Sequence, residues 1–226
     1  MPETSVSHAP RETSPDLVET PEELAYELRA SENAIWVGGK LVVGIGAFLF
    51  AGLAFAYFYL RSANDENLWR PHGVTAPVNL GAIVFGLVMV GALLNIYGTA
   101  RLRRGQSVDW EVAGWTALGL CLLAVGFQLW ELTRLPFAPG SSGYASSFIG
   151  WAGLNTALLL ASSYWLETLL ARAIHLRRAI RQDGGASASP APAARLLRAN
   201  LESVTYFLGF AAFVNLLFWV LFYIVA

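Results

Sequence analysis

The chain has 226 residues, 55% of them hydrophobic and only 14% charged, with a formal net charge of −1 and a mean hydropathy of +0.49. Soluble domains carry about 25% charged residues. A chain this poor in charge, with long uncharged runs, is an integral membrane protein and not a soluble domain with a large core. The charge balance offers nothing to a nucleic-acid partner.

Residues 1 to about 19 form a polar, proline-containing segment with Pro2, Pro10 and Pro15, a composition that favours disorder. No apolar core precedes residue 34, so a secretory signal peptide is not expected. Thr20, Pro21 and Glu23 have the order of an N-cap, a first helical position and a capping-box acid. They predict a short surface helix over about 21–31, within a cytoplasmic tail of residues 1–33.

A five-helix transmembrane domain is expected over 34–226, all-α, with apolar runs at about 35–60, 78–100, 112–133, 148–171 and 203–226. Each is long enough to cross a hydrocarbon core of about 30 Å. An odd number of crossings puts the two ends on opposite sides. Lys40, Arg11, Arg29, Arg101, Arg103, Arg104, Arg172, Arg177, Arg178, Arg181, Arg195 and Arg198 share one side, leaving Arg61, Arg70 and Arg134 on the other. By the positive-inside rule the N-terminus is cytoplasmic and the C-terminus faces out.

Residues 182–194 are rich in Gly, Ala, Ser and Pro and predict a flexible cytoplasmic linker. The basic residues before it predict a cytoplasmic continuation of the fourth helix. Gly44, Gly46, Gly52, Gly81, Gly86, Gly91, Gly114, Gly119, Gly150 and Gly153 stud the runs, and small residues of this kind let membrane helices approach closely. Trp69, Trp110, Trp115, Trp130, Trp151 and Trp165 stand near run ends, as in an interfacial aromatic belt. Arg101, Arg103 and Arg104 suit anionic lipid headgroups.

Few residues offer chemistry. Cys121 is the single cysteine, and His8, His72 and His175 lie outside the apolar runs, so no ligand set for a membrane haem, copper or zinc is legible. No nucleophile–base pair, phosphate loop or paired-carboxylate site stands out, and no catalytic residue is assigned. Glu131 and Gln128 share one face near the outer end of the third run. A carboxylate at that depth serves either as a hydrogen-bonded packing anchor or as a proton site. Asn79, Asn95, Asn155 and Asn215 predict hydrogen bonds across helices. Glu202, just ahead of the fifth run, reads as a first-turn acid favoured by the helix dipole. Glu167 lies toward the cytoplasmic end of the fourth run, at the interface or along a crevice of the bundle.

The order of landmarks resembles the cytochrome c oxidase subunit III family of the haem–copper oxidases, in its short five-helix form. Ala51 to Phe58 is similar to that family's Gly- and aromatic-rich first conserved helix. Trp69, Pro71 and Gly73 stand where the family has Trp-Pro-Pro-x-Gly, and Asn79 then opens the next helix. Gln128 and Glu131 resemble its Gln-x-x-Glu. Tyr144, Ser146, Ser147 and Phe148 resemble its Tyr-Gly-Ser-x-Phe, and Glu202 ahead of Gly209 resembles the start of its last helix. The chain departs from the family at Gly46, where a glutamate is usual, and at Asn155 and Leu158, which replace two histidines. Leu208, Gly209, Phe210 and Ala212 stand in place of the family's Trp-His-x-x-x-Asp.

The resemblance implies a non-catalytic accessory subunit of a bacterial respiratory oxidase in the inner membrane, with phospholipid held in a helix-lined cleft. Haem and copper would belong to the catalytic partner and other respiratory subunits, not to this chain. The missing ionisable residues weaken the proton-uptake role that the family implies. A small carrier or channel using Glu131, or an accessory subunit of a nitric oxide reductase or alternative respiratory complex, are the competing expectations.

Overall fold

The computed structural model describes residues 21–63, 69–71, 73–182 and 191–225. Helix α1 spans Pro21–Ser62, α2 Val78–Arg103, α3 Ser107–Thr133, α4 Gly143–Gln182 and α5 Ala191–Trp219, which continues into a π turn at Val220–Ile224. No strand occurs among the described residues, and all five helices are long and apolar enough to cross a membrane.

Helix α1 corrects the expected domain boundary. The predicted surface helix over 21–31 and the first apolar run form one helix of 42 residues, about 63 Å long. No proline interrupts residues 22–62, and Ala30 to Ala34 offers no breaker, so the backbone stays helical through residue 33. Glu22 and Glu23 occupy the first turn, where the helix dipole favours acids. Thr20, like residues 1–19, lies outside the described residues.

Helix α4 continues to Gln182, as the basic residues after the fourth run predict. The expected linker is shorter at its far end, because residues 191–194 belong to α5; residues 183–190 lie outside the described residues. Glu202 therefore sits three turns inside α5 and not in a first turn. Its carboxylate is fixed by ion pairs instead, 2.9 Å from Arg103 Nε and 3.6 Å from Arg198 Nε.

Helix α5 is the hub. It packs against α1, α2 and α4, while α3 packs against α2 and α4. Helices α1 and α2 lean on α5 more than on each other. Large apolar side chains such as Phe48, Phe55 and Tyr164 point outward, 85%, 72% and 70% exposed, which suits an acyl-chain surroundings and not water. The expected close approaches hold at Gly46, Gly81, Gly91 and Gly114, each against a side chain or backbone of a neighbouring helix. A Cβ added at Gly44, Gly52, Gly86, Gly119, Gly150 or Gly153 would meet nothing within 4 Å among the described residues, so these glycines mark no close approach.

The α2–α3 turn shows how local sequence sets this packing. Gln106 N–H donates to Arg101 O at 3.1 Å and Gly105 N–H to Leu102 O at 2.9 Å, with Gly105 at φ 83°. This is a Schellman closure, whose left-handed position favours glycine. Gly105→Ala is expected to cost about 1–2 kcal/mol, because a Cβ is strained there. Unfolding of the detergent-solubilised chain with increasing dodecyl sulfate measures it, and an unchanged midpoint would count against the turn geometry.

The two ends of the bundle differ. One end is Leu-rich around Trp110, Leu166, Leu170 and Leu201, and is ringed by ion pairs. Arg101 meets Asp109 at 2.6 Å, Arg177 meets Glu111 at 2.5 Å and Arg195 meets Glu32 at 2.8 Å. Such exposed pairs contribute about 1 kcal/mol or less each. The other end is an aromatic core of Phe50, Tyr57, Trp69, Tyr144, Phe148, Trp151, Phe218 and Phe222. The expected aromatic belt is thus only partial. Trp115 and Trp130 are exposed, but Trp69, Trp110 and Trp151 are buried, because the bundle spends them on its core.

Candidate functional site

Beside the aromatic core, five polar side chains from α3, α4 and α5 form one buried network. Gln128 and Glu131 are separated by three residues on α3, which places both on the inward face. Both are fully buried. Gln128 Nε2 donates to Glu131 Oε2 at 2.7 Å, and the Tyr223 hydroxyl donates to Glu131 Oε1. Glu131 forms no ion pair among the described residues. It is hydrogen-bonded inside the bundle and does not face lipid.

The carboxylate orients the rest. Oxygens that only accept require the amide nitrogen of Gln128 to face them. That turns Gln128 Oε1 toward Asn155, whose Nδ2 donates to it at 3.2 Å. Asn155 and Asn215 then bond reciprocally, at 3.1 and 2.9 Å, and Asn215 Nδ2 also donates to Ala211 O at 3.0 Å. Each bond across membrane helices contributes on the order of 1 kcal/mol. Their common direction specifies how α3, α4 and α5 register. Asn155, which stands where the resemblance places a histidine, is the central member.

Tyr223 reaches Glu131 because α5 widens into the π turn, which shifts the register of the side chains beyond it. Carbonyls of that turn are met from other helices. Tyr57 of α1 donates to Leu221 O at 2.8 Å, and Tyr144 of α4 donates to Phe222 O at 3.1 Å. Gly81 of α2 leaves the space that the Tyr223 ring fills; an added Cβ would overlap the ring.

The resemblance-carrying residues divide into two groups. Trp69, Tyr144, Phe148, Gln128 and Glu131 converge. Trp69 and Tyr144 meet edge to face at 6.1 Å, Trp69 O accepts the Tyr144 N–H at 3.0 Å, and Phe148 packs on Tyr144 and on Tyr223. Pro71 and Gly73 shape the turn beneath them, where Val74 N–H donates to Pro71 O at 3.1 Å and Gly73 takes φ 85°. His72 lies outside the described residues. Ser147 has a buried hydroxyl without a hydrogen-bond partner among the described residues, and Ser146 accepts from Gly140 N–H at 3.2 Å near the surface. Asn79 is exposed at the start of α2, and Glu167 is exposed on α4. Glu202 lies at the opposite, charged end, as do Arg101, Arg103 and Arg104, of which Arg101 and Arg103 are ion-paired.

Asn95 confirms the expected cross-helix role separately. Its Nδ2 donates to Thr205 of α5 at 2.9 Å, and Thr99 meets the same hydroxyl at 2.8 Å. Tyr223 and Gly81 were not predicted as site residues. A hydroxyl near the end of an apolar run and a glycine near the start of another are weak signals until both are brought to one place.

Among known proteins, the sequence matches no protein-family model and no curated protein. What fold and site define is a class: an all-α, multi-pass membrane protein with a polar knot tying three of its five helices.

Proposed function

We propose that this chain is a non-catalytic accessory subunit of a bacterial respiratory terminal oxidase, similar to subunit III of the haem–copper oxidases. It lies in the plasma membrane with the arginine-ringed end in the cytoplasm. The observation that carries the proposal is convergence: Trp69, Gln128, Glu131, Tyr144 and Phe148, scattered over 80 residues of sequence, meet in one buried cluster.

A second feature supports it. A cleft of about 540 Å³ opens between α1 and α2 over α5, with Val43, Ile96, Phe210 and Phe213 along its walls and Trp36 and Arg103 toward its charged end. Its apolar length suits an acyl chain, and its charged end pairs Arg103 with Glu202, two groups that a zwitterionic headgroup can meet. Haem and copper would be carried by the catalytic partner.

Purifying the tagged chain from its native membrane in mild detergent tests the proposal. Co-recovery of a haem-bearing subunit with an oxidase spectrum is expected. Recovery of the chain alone would sink it, and a nitric oxide reductase spectrum would move the chain to that complex. The carrier alternative rests on the buried Glu131 carboxylate. It requires that Glu131→Gln abolish ion flux in liposomes holding this chain alone, where the accessory subunit gives no flux to abolish.

A further inference from the structure

The charged end of the bundle holds a second cavity, separate from the polar network and from the α1–α2 cleft. It has a volume of about 630 Å³, within the range of small-molecule sites, and lies between the α2–α3 turn and the extensions of α4 and α5. Leu102, Leu197 and Leu201 give it an apolar lining, and Glu111, Arg177 and Arg198 are its charged members.

The charges do not cancel. Arg177 is neutralised by Glu111 at 2.5 Å. Among the described residues Arg198 has only Glu202, 3.6 Å away, and Arg103 already holds the same Glu202 oxygen at 2.9 Å. Two guanidinium groups on one carboxylate leave one positive charge in excess beside the cavity. The amino end of α3 contributes Val108 to the same wall, and its first-turn Asp109 is held by Arg101.

We propose that this cavity binds a single-chain anionic amphiphile, its carboxylate or phosphate on Arg198 and its chain against the leucines. An apolar lining next to one uncompensated guanidinium selects such a ligand over a neutral chain, which leaves the charge unanswered, and over a small ion, which leaves the leucines wet. The volume is too small to enclose a two-chain phospholipid whole. The site does not depend on the accessory-subunit proposal.

The test uses the full chain in phosphatidylcholine nanodiscs, with radiolabelled laurate in equilibrium dialysis and empty discs as the blank. Saturable uptake above the blank is expected, with no competition from dodecanol. Arg198→Gln removes the anion's partner, and Ala194→Phe places a ring on the cavity wall; both positions are exposed. Each is expected to weaken laurate binding about tenfold or more, the loss for one charge-assisted contact. Circular dichroism checks each variant for helix content, and either one suffices. Lysophosphatidylglycerol, a single-chain phosphate, added to the discs separates the two sources of the anion. Competition with laurate assigns a lipid phosphate, and no competition assigns a free carboxylate. Uptake no greater than in empty discs, equal competition by dodecanol, or wild-type binding by a folded variant would overturn the proposal.

Discussion

Gly81→Ala is expected to destabilise the bundle by about 1–3 kcal/mol, the usual cost of overpacking a filled core. The added methyl would occupy space that the Tyr223 ring fills. The ring has little room to yield, since Phe148 and Phe218 pack edge to face against it, each at 5.9 Å. Displacing it also breaks the Tyr223–Glu131 hydrogen bond, so the effect spreads from α2 to α3 through a residue of α5. The double variant Gly81→Ala/Tyr223→Ala separates this from a generic helix effect. Removing the ring makes room for the methyl, so the double variant should be less destabilised than the sum of the singles. Unfolding midpoints in mixed micelles read both. A neutral Gly81→Ala, or strict additivity, would contradict the packing of Tyr223 across α2.

The second large effect concerns Glu131. Glu131→Leu leaves the Tyr223 hydroxyl and the Gln128 amide without their acceptor, in a place where water does not replace it. Each stranded donor costs about 1–3 kcal/mol, so a loss of about 2–6 kcal/mol is expected. Glu131→Gln should stay within about 1 kcal/mol of the parent. Its amide oxygen accepts from Gln128 while its nitrogen donates to the Tyr223 hydroxyl, which also accepts. A packing anchor needs the hydrogen bonds and not the charge. The pattern of a costly Leu and a mild Gln is therefore its signature, read from the same unfolding midpoints. Comparable losses for Leu and Gln would show that the charge itself holds the network.

How far the sequence carries can be judged from particular residues. The apolar runs gave the number of helices, since burial in lipid demands about 20 apolar residues in a row whatever the tertiary contacts, but α1, α4 and α5 each run more than ten residues beyond their apolar run on the charged side. Inward facing of Glu131 and Gln128 followed from the cost of a carboxylate in acyl chains. Asn155 and Asn215 were expected to bond across helices, but nothing in the chain said that they bond to each other. The separation of α1 into a tail helix and a spanning helix was wrong for a local reason. A change from polar to apolar surroundings does not break a helix unless a residue that opposes helix stands at the boundary. Glu202 was misplaced in the same way, because the apolar run begins later than the helix that contains it.

The sequence by itself determined the class of solvent, the number of crossings and the uneven charge of the two ends, because these follow from hydrophobicity and charge residue by residue. Only the tertiary structure decided which groups answer one another. Tyr223 on Glu131, Tyr57 and Tyr144 on the π-turn carbonyls, Gly81 beneath a ring and two arginines sharing Glu202 are pairings between distant segments. Side-chain hydrogen bonds and close packing act over a few ångströms, so they are fixed by how helices meet and not by spacing along any one of them.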